Sequence, residues 1–290
     1  MAPSAPAPEA ITVPGGLGFP ESPRWQDGRL WFVDVFRGRV LAAEPGGRAE
    51  LIAQVDDDVS GLGFLPGGDP LVVSMRRRLI LRLRPGAEPV VHADLGAATT
   101  GYLNDMVVDA DGRAHVGMIT HVRDPRDGRG HDAIAAIDPS GRWRIAATGL
   151  SRPNGMVVTA DRGTLIQAST TRGELVAWSI GDDGTLADQR VWATTGAHRP
   201  DGICADAEGA IWVGGLSSGS FVRIEPGGRI TDEIAVAPRW AVACALGGDD
   251  RRTLFLLTAA PGRLPIQAHP LEHAGFVASA RVRMAGAGRP

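Results

Sequence analysis

The sequence of 290 residues contains no lysine, so all 30 of its basic residues are arginines. This absence excludes Schiff-base chemistry and the lysine of a Walker-A phosphate loop. The formal net charge is −3, and no basic run is longer than Arg76-Arg77-Arg78. A nucleic-acid-binding protein would carry a stronger basic footprint, so we expect a small-molecule substrate and no nucleic-acid partner.

Cysteine and long apolar runs are also scarce. Cys204 and Cys244 match no zinc-binding spacing, and we expect both to be buried thiols. The apolar stretch Leu254–Leu257 falls far short of the roughly 18 residues that a membrane span needs. Residues 1–10 lack the basic and apolar regions of a secretory signal. We therefore expect a cytoplasmic protein that is a monomer or a weak dimer.

Glycine and proline are abundant, with 39 and 21 copies, and they mark turns between short β-rich runs. These runs repeat six times with a period of about 40 to 50 residues. The repeats begin near Pro23, Gly63, Val107, Val157, Ile203 and Ala243. The pattern is typical of a β-propeller and lacks the long helical segments that a parallel α/β fold requires.

We accordingly predict an all-β fold, a single six-bladed propeller over residues 11–284 with a central metal site, and flexible tails at 1–10 and 285–290. The last repeat is one strand short, so Ile11–Val13 is predicted to complete the sixth blade and close the ring. The insertion at residues 121–133 is either a mobile lid or an exposed hairpin without a role.

Equivalent positions at the start of each innermost strand should bring side chains to one end of the central channel. These positions hold Glu21, Ser60, Asn104 or Asp105, Asn154, Asp201 and Trp240. The two asparagines of the chain, Asn104 and Asn154, thus fall in equivalent places between two carboxylates. Carboxylate and amide oxygens without histidine or cysteine favour a hard cation, Ca²⁺ first, then Mg²⁺ or Mn²⁺, with Zn²⁺ disfavoured.

The alternative interpretation is structural. Asn, Asp and Ser are common turn formers, so each could cap a strand end or line a water-filled channel. That reading explains single residues, but it does not explain a carboxylate–amide–carboxylate set in register. The Pro-Asn-Gly and Pro-Asp-Gly triplets at Asn154 and Asp201 lie one repeat apart, which favours the metal site.

The sequence also resembles the family of senescence marker protein, gluconolactonase and luciferin-regenerating enzyme, which includes regucalcin. The resemblance covers residues 15–262 or so, and it is carried by several short segments. These are ESPRW at Glu21, Asn104-Asp105 with VVDADGR, Pro153-Asn154-Gly155, Pro200-Asp201-Gly202 with AEGAIWV, and ALGGDDRRTLFLLTA.

The resemblance implies a six-bladed propeller that hydrolyses lactones or, in some members, phosphoesters. It also implies a catalytic divalent ion held by Glu21, Asn154 and Asp201, with Asn104 as a fourth ligand or a substrate contact. Asp201 would act as general base or nucleophile, and the ion would polarise the carbonyl or phosphoryl oxygen.

One departure from the family concerns the substrate. Many sugar lactonases of the family carry an arginine two residues before the first asparagine, where this chain has Tyr102, its only tyrosine. Tyr102 and Trp240 favour a ligand with an aromatic or apolar face, unless both merely pack loops. Ser60 and His121 are the other residues from which we expect substrate contacts.

Three functions therefore stay open on sequence grounds. The first is a metal-dependent hydrolase of a lactone or related cyclic ester that is less sugar-like than gluconolactone. The second keeps the ion as a Lewis acid for isomerisation, elimination or cyclisation. The third is a noncatalytic calcium-binding propeller with a fully coordinated ion.

Overall fold

The computed structural model of the protein describes residues 10–84, 86–120, 132–261 and 274–288. Over these residues the chain forms six antiparallel sheets, and the helical elements comprise one 3₁₀ turn at Val35–Arg37. Each sheet is a meander in which consecutive strands pair, as short runs joined by glycine turns favour. This architecture confirms the predicted all-β, six-bladed propeller.

Four strands form each of the first three blades. Blade 1 consists of β1 Pro20–Gln26, β2 Arg29–Asp34, β3 Arg39–Ala43 and β4 Glu50–Gln54. Blade 2 consists of β5 Val59–Phe64, β6 Pro70–Ser74, β7 Leu79–Arg82 and β8 Val90–Asp94. Blade 3 consists of β9 Tyr102–Val108, β10 Ala114–Ile119, β11 Asp132–Ile137 and β12 Trp143–Leu150.

The second half of the ring has two blades of four strands and one of three. Blade 4 consists of β13 Pro153–Val158, β14 Thr164–Ser169, β15 Glu174–Ile180 and β16 Leu186–Thr194. Blade 5 consists of β17 Pro200–Ala205, β18 Ile211–Gly215, β19 Ser220–Ile224 and β20 Ile230–Ala235. Blade 6 consists of β21 Trp240–Gly247, β22 Thr253–Ala259 and β23 Gly275–Arg281.

Burial decreases from the channel outward. The innermost strands β1, β5 and β13 are almost wholly buried, whereas the outermost strands β4, β16 and β20 are largely exposed. Each innermost strand packs beside the next one, and β21 returns to β1. The apolar faces of neighbouring blades bury one another around the channel, which provides the core that no single meander could form alone.

Every innermost strand is interrupted by a β-bulge. The pairing register shifts between Pro153 and Met156 in β13 and between Pro200 and Ile203 in β17, and comparable shifts occur in β1, β5, β9 and β21. A bulge re-aims side chains and often lies beside an active site. Because the bulges in β13 and β17 contain Asn154 and Asp201, these two side chains leave the regular alternation of their strands.

Two glycines let the bulged strands approach each other closely. A Cβ on Gly155 would lie 2.6 Å from the Asp201 carbonyl oxygen, and one on Gly202 would lie 2.3 Å from the Ala243 Cβ. The glycines of the Pro-Asn-Gly and Pro-Asp-Gly triplets therefore serve strand packing around the channel. Both triplets form the first three residues of their strands, β13 and β17.

The first and last described segments of the chain contact the ring. The Ile11 amide donates to the Val277 carbonyl oxygen at 3.0 Å, and the Thr12 amide donates to that of Gly47 at the same distance. Residues 10–17 thus lie between blades 6 and 1, joined to β23 by isolated bridges and not by a regular strand. Near the other terminus, in the segment expected to be a tail, Gly286 donates to the Arg251 carbonyl oxygen at 2.8 Å.

Three further predictions concern the insertion at residues 121–133, the two cysteines and membrane spans. Most of the 121–133 insertion, residues 121–131, lies outside the described residues, so its role stays a prediction. Cys204 and Cys244 lie with their Sγ atoms 3.7 Å apart, and burial raises the pKa of the Cys244 thiol well above its usual value. Within the described ranges, no helix has the length and apolar character needed to cross a membrane.

Candidate active site

A pocket of about 300 Å³ opens at the end of the channel where the innermost strands of blades 1, 3, 4 and 5 begin. Blades 1 to 5 contribute its described lining residues, and blade 6 contributes none of them. Glu21, Asn104, Asn154 and Asp201 lie in its polar part. The wider lining adds Phe19, Val35, Phe36, Asp58, Met75, Arg76, Arg78, Thr100, Gly101, Tyr102, Arg152, Thr170, Arg199 and Leu216.

The pocket therefore brings together the four residues that the sequence analysis predicted as metal ligands. Glu21 comes from β1, Asn104 from β9, Asn154 from β13 and Asp201 from β17. Glu21, Asn154 and Asp201 are buried, and Asn104 is partly exposed. Equivalent sequence positions on four blades thus lie close together, because the ring places the start of each innermost strand at the same end of the channel.

The two amide nitrogens are turned toward protein acceptors. Asn154 Nδ2 donates to Thr170 Oγ1 at 3.1 Å and makes a short hydrogen bond to Asp201 Oδ1. Asn104 Nδ2 donates to the Pro153 carbonyl oxygen at 3.0 Å and to Asn154 Oδ1 at 3.3 Å. Because the nitrogens are used in this way, the Oδ1 atoms are the amide atoms that would bind a cation. Oxygen is the ligand atom that Ca²⁺ and Mg²⁺ prefer.

The two carboxylates are buried, and neither forms an ion pair with a residue that the structure describes. Burial raises the pKa of Glu21 well above its usual value, and the charges of Asp201 and Asp105 raise it further. Burial raises the pKa of Asp201 to about 7, against the opposing charge of Arg152. Two such buried groups favour binding of a proton or a cation, because either reduces their mutual repulsion.

A second network lies beneath this pair and holds the bulge of β9. Asp105 Oδ1 accepts from Ser22 Oγ at 2.9 Å and from the Met106 amide at 2.7 Å. The Arg24 guanidinium donates to the Met106 carbonyl oxygen at 2.7 Å and lies 3.7 Å from Asp105. Blades 1 and 3 are thereby joined across the channel, which positions Glu21 relative to Asn104.

Of the residues predicted to contact the substrate, some line the pocket and others do not. Tyr102 lines the pocket, as expected. Ser60 is buried in β5 and does not line the pocket, and Trp240 packs against the core at the start of β21. His121 lies outside the described residues. The pocket therefore joins Tyr102 to the four predicted ligands and leaves Ser60 and Trp240 apart from them.

Several lining residues escaped the sequence analysis. In five blades the residue two positions before the equivalent position lines the pocket, and of these residues Tyr102 was predicted from the sequence. The others are Phe19, Asp58, Arg152 and Arg199. Each of these four immediately precedes the first residue of its innermost strand, and the shared spacing across the repeats could have revealed them from sequence. Phe36, in the 3₁₀ turn, and Arg78, in the β6–β7 turn, had no such signal because their positions depend on packing between blades.

The donor set fits a hard divalent cation. In the part of the chain that the structure describes, no three His, Cys, Asp or Glu side chains form a metal-binding group. The candidate site instead combines two buried carboxylates with two amide oxygens, which is the ligand chemistry of Ca²⁺ or Mg²⁺ and not that of structural zinc.

Fold and site together define a six-bladed propeller with an oxygen-rich polar pocket at one end of its channel. The sequence model of the family described as SMP-30/gluconolactonase/LRE-like region matches residues 19–260. The chain belongs to this family, which confirms the resemblance stated from the sequence. Since the family includes gluconolactonases, a lactonase-type enzyme is supported for this chain.

Individual proteins similar to this chain have names consistent with that family. A 6-deoxy-6-sulfogluconolactonase of Pseudomonas putida is 26% identical over 287 residues, covering 97% of this chain and 96% of the relative. A luciferin-regenerating enzyme has a similar structure, with a TM-score of 0.79, 18% identity and coverage of 97% of both chains. A calcium-binding regucalcin from Agrobacterium tumefaciens str. C58 gives a TM-score of 0.74 at 19% identity, covering 95% of this chain and 98% of the other.

Proposed function

We propose that the protein is a divalent-cation-dependent lactonase whose substrate is less sugar-like than gluconolactone. The observation that carries this proposal is the pairing of two buried carboxylates, Glu21 and Asp201, with two amides whose nitrogens already have protein acceptors. Such a pair needs a positive partner, and the pocket beside it has room for a small cyclic ester.

Glu21, Asn104, Asn154 and Asp201 would hold the cation, with Ca²⁺ the expected ion and Mg²⁺ or Mn²⁺ the alternatives. When bound, the ion supplies Lewis-acid polarisation of the substrate carbonyl and keeps the two carboxylates ionised. The side chains of the protein would orient the substrate, accept a proton from the attacking water and exclude other water from the pocket.

Asp201 is the proposed general base toward the attacking water. The short hydrogen bond from Asn154 Nδ2 fixes Oδ1, and the other oxygen, which accepts no hydrogen bond from the residues that the structure describes, would accept the proton. Its position inside the β17 bulge points it away from the regular sheet and into the pocket. Asn154 is in turn held by Thr170, so the orientation of the base depends on blades 4 and 5 together.

The apolar part of the pocket supports the preference for a less sugar-like substrate. Tyr102, Phe19 and Phe36 line it together with Met75 and Leu216. These side chains offer few hydrogen-bonding groups for the hydroxyls of a sugar lactone, whereas an apolar or aromatic ring face would be desolvated against them.

The test measures hydrolysis of lactones from gluconolactone to aromatic ones such as dihydrocoumarin. The protein is stripped of metal and then resupplied with Ca²⁺, Mg²⁺, Mn²⁺ or Zn²⁺. We expect turnover that returns with a hard cation and is greater for the apolar lactones. Turnover of gluconolactone alone would refute the substrate preference, and tight cation binding without any hydrolysis would favour Lewis-acid chemistry of another kind or a noncatalytic calcium site.

A further inference from the structure

The described lining of the pocket carries an excess of positive charge. Among the described residues, four arginines line it, against the three carboxylates of Glu21, Asp58 and Asp201. With a divalent cation bound at Glu21 and Asp201, the excess positive charge of this lining would rise to about three elementary charges. Like charges in one pocket repel each other, and an anionic group on a ligand would reduce that repulsion.

One of the four arginines is in contact with a pocket carboxylate, because Arg76 Nε donates to Asp58 Oδ2 at 2.6 Å. Arg152 and Arg199 make no ion pair within the described residues, but both are near enough to Asp201 for their positive charges to oppose the rise of its pKa. These three side chains therefore each lie near a carboxylate of the pocket.

Arg78 is the exception. Its Nε atom is buried and has no hydrogen-bond partner within the described ranges, and its guanidinium has no ion pair there. The side chain is only partly exposed, so water solvates it incompletely. Because Arg78 lines the pocket and its guanidinium has no carboxylate partner among the described residues, an anion in the pocket would gain a charge-assisted hydrogen bond from it.

The surroundings of Arg78 form a continuous wall of the pocket. The turn between β6 and β7, which carries Met75, Arg76 and Arg78, is joined to the start of β9 by the hydrogen bond from the Leu103 amide to the Met75 carbonyl oxygen, 3.1 Å long. Thr100, just before β9, adds a hydroxyl on the same wall. This wall lies on blades 2 and 3, apart from the carboxylate of Asp201 on blade 5.

We propose that Arg78 is a specificity-determining residue that binds an anionic group of the substrate, so that the preferred lactones carry a carboxylate, sulfonate or phosphate besides the ester ring. This inference rests on the proposed lactonase function and adds the charge of the substrate to it. Tyr102, Phe19 and Phe36 would contact the ring, while Arg78, supported by Arg76 and Thr100, would hold the anion.

The experiment compares lactones that differ only in this charge. One pair is glucono-1,4-lactone and glucaro-1,4-lactone, and a smaller pair is γ-valerolactone and 5-oxotetrahydrofuran-2-carboxylate. We expect the anionic member of at least one pair to have the higher kcat/KM, by about tenfold or more, as a charge-assisted hydrogen bond provides. Added salt should reduce that ratio.

Variants assign the effect to Arg78. Arg78→Gln should bring the anionic-to-neutral ratio of kcat/KM close to one, and Arg78→Lys should recover part of it because it keeps the charge but loses the planar fork. Arg48→Gln is the matched control, since Arg48 is exposed and lies outside the pocket lining. A ratio that Arg78→Gln leaves unchanged, or no anionic preference in either pair, would overturn the proposal.

A binding measurement separates this inference from the proposed function. Calorimetry with saturating Ca²⁺ compares glucitol with gluconate, a neutral and an anionic ligand with the same carbon skeleton, which requires no turnover. Preference for gluconate that Arg78→Gln abolishes would support the anion site even if no lactone were hydrolysed, in which case only the lactonase proposal would fail. Hydrolysis without any Arg78-dependent charge preference, in turnover and in binding, would refute only the anion site.

Discussion

Two groups of buried carboxylates in this molecule have opposite surroundings. Asp34 and Asp206 lie in blades 1 and 5 away from the pocket, and both are saturated. Asp34 accepts from the amides of Gly18 and Phe19 and pairs with Arg39 at 2.6 Å. Asp206 accepts from two backbone amides and pairs with the buried Arg223, also at 2.6 Å.

The pocket carboxylates have far fewer partners. Glu21 accepts from the Ser22 amide at 2.8 Å, and Asp201 accepts from Asn154. The pKa of each is raised, and burial is the largest cause in both cases. Burial by itself therefore does not indicate function. Saturated carboxylates hold the turns of the blades, whereas unsaturated ones at the channel are suited to binding a cation and reacting.

The largest expected effect comes from Asp201→Asn, which removes the proposed base but keeps the side-chain shape. We expect turnover of any lactone substrate to fall by about 10²–10⁴-fold or more, as loss of a general base does. The unfolding free energy of the metal-free protein at pH 8 should rise, by on the order of 2 kcal/mol, because a buried unpaired charge is gone. Steady-state kinetics and urea unfolding measure the two. Full activity in this variant would refute the role of Asp201.

The opposite result is expected for Asp206→Asn. This change leaves the Arg223 guanidinium, 3% exposed, with only partly exposed carboxylates as partners. We expect the unfolding free energy to fall by about 3–5 kcal/mol, while the Ca²⁺ affinity of the folded protein stays the same. The double variant Asp206→Leu with Arg223→Met should recover much of the stability, since no lone charge then remains. An altered Ca²⁺ affinity would show that the two groups of carboxylates are coupled.

A smaller effect concerns pH. The pKa of Asp201 is raised in the folded, metal-free protein, so its contribution to stability is present at low pH and is lost as the pH rises through about 7. Protons and Ca²⁺ compete for the same carboxylate, and the apparent Ca²⁺ affinity should fall by about tenfold as the pH falls from 8 to 6.

Thermal unfolding with and without Ca²⁺ at pH 6, 7 and 8 measures this competition. Ca²⁺ should raise Tm most at pH 8. In the Asp201→Asn protein the pH dependence should weaken, leaving only the contribution of Glu21. A Ca²⁺ effect that is the same at all three pH values would contradict the assignment of Asp201 as a ligand.

Much of the architecture could be predicted from sequence. The six repeats of short strands and glycine turns indicated six blades, since turn chemistry and strand alternation are local properties. Glu21, Asn104, Asn154 and Asp201 occupy equivalent positions in their repeats. This placement indicated that their side chains lie close together, because a ring of repeats brings equivalent positions to the same end of the channel. The same reasoning led to Ser60 and Trp240, and there the side chains lie outside the pocket.

The difference between these two outcomes has a physical origin. In blade 2 the pocket is lined by Asp58 and by the turn from Met75 to Arg78, and Ser60 is buried in its strand. Trp240, the first residue of blade 6, packs against the core, and no described residue of that blade reaches the pocket. Repeat equivalence predicts where a backbone position lies, but side-chain size and packing decide which way the residue faces.

The sequence by itself determined the number of blades, the absence of lysine chemistry and the oxygen-rich set of candidate ligands, because each depends on residue type and spacing along the chain. Only the tertiary structure decided which charges remain unsatisfied. Asp34 and Asp206 cannot be distinguished from Asp201 by type, nor Arg78 from Arg76. Their roles depend on partners brought from elsewhere in the chain, and the free energy of a buried charge is set by those partners.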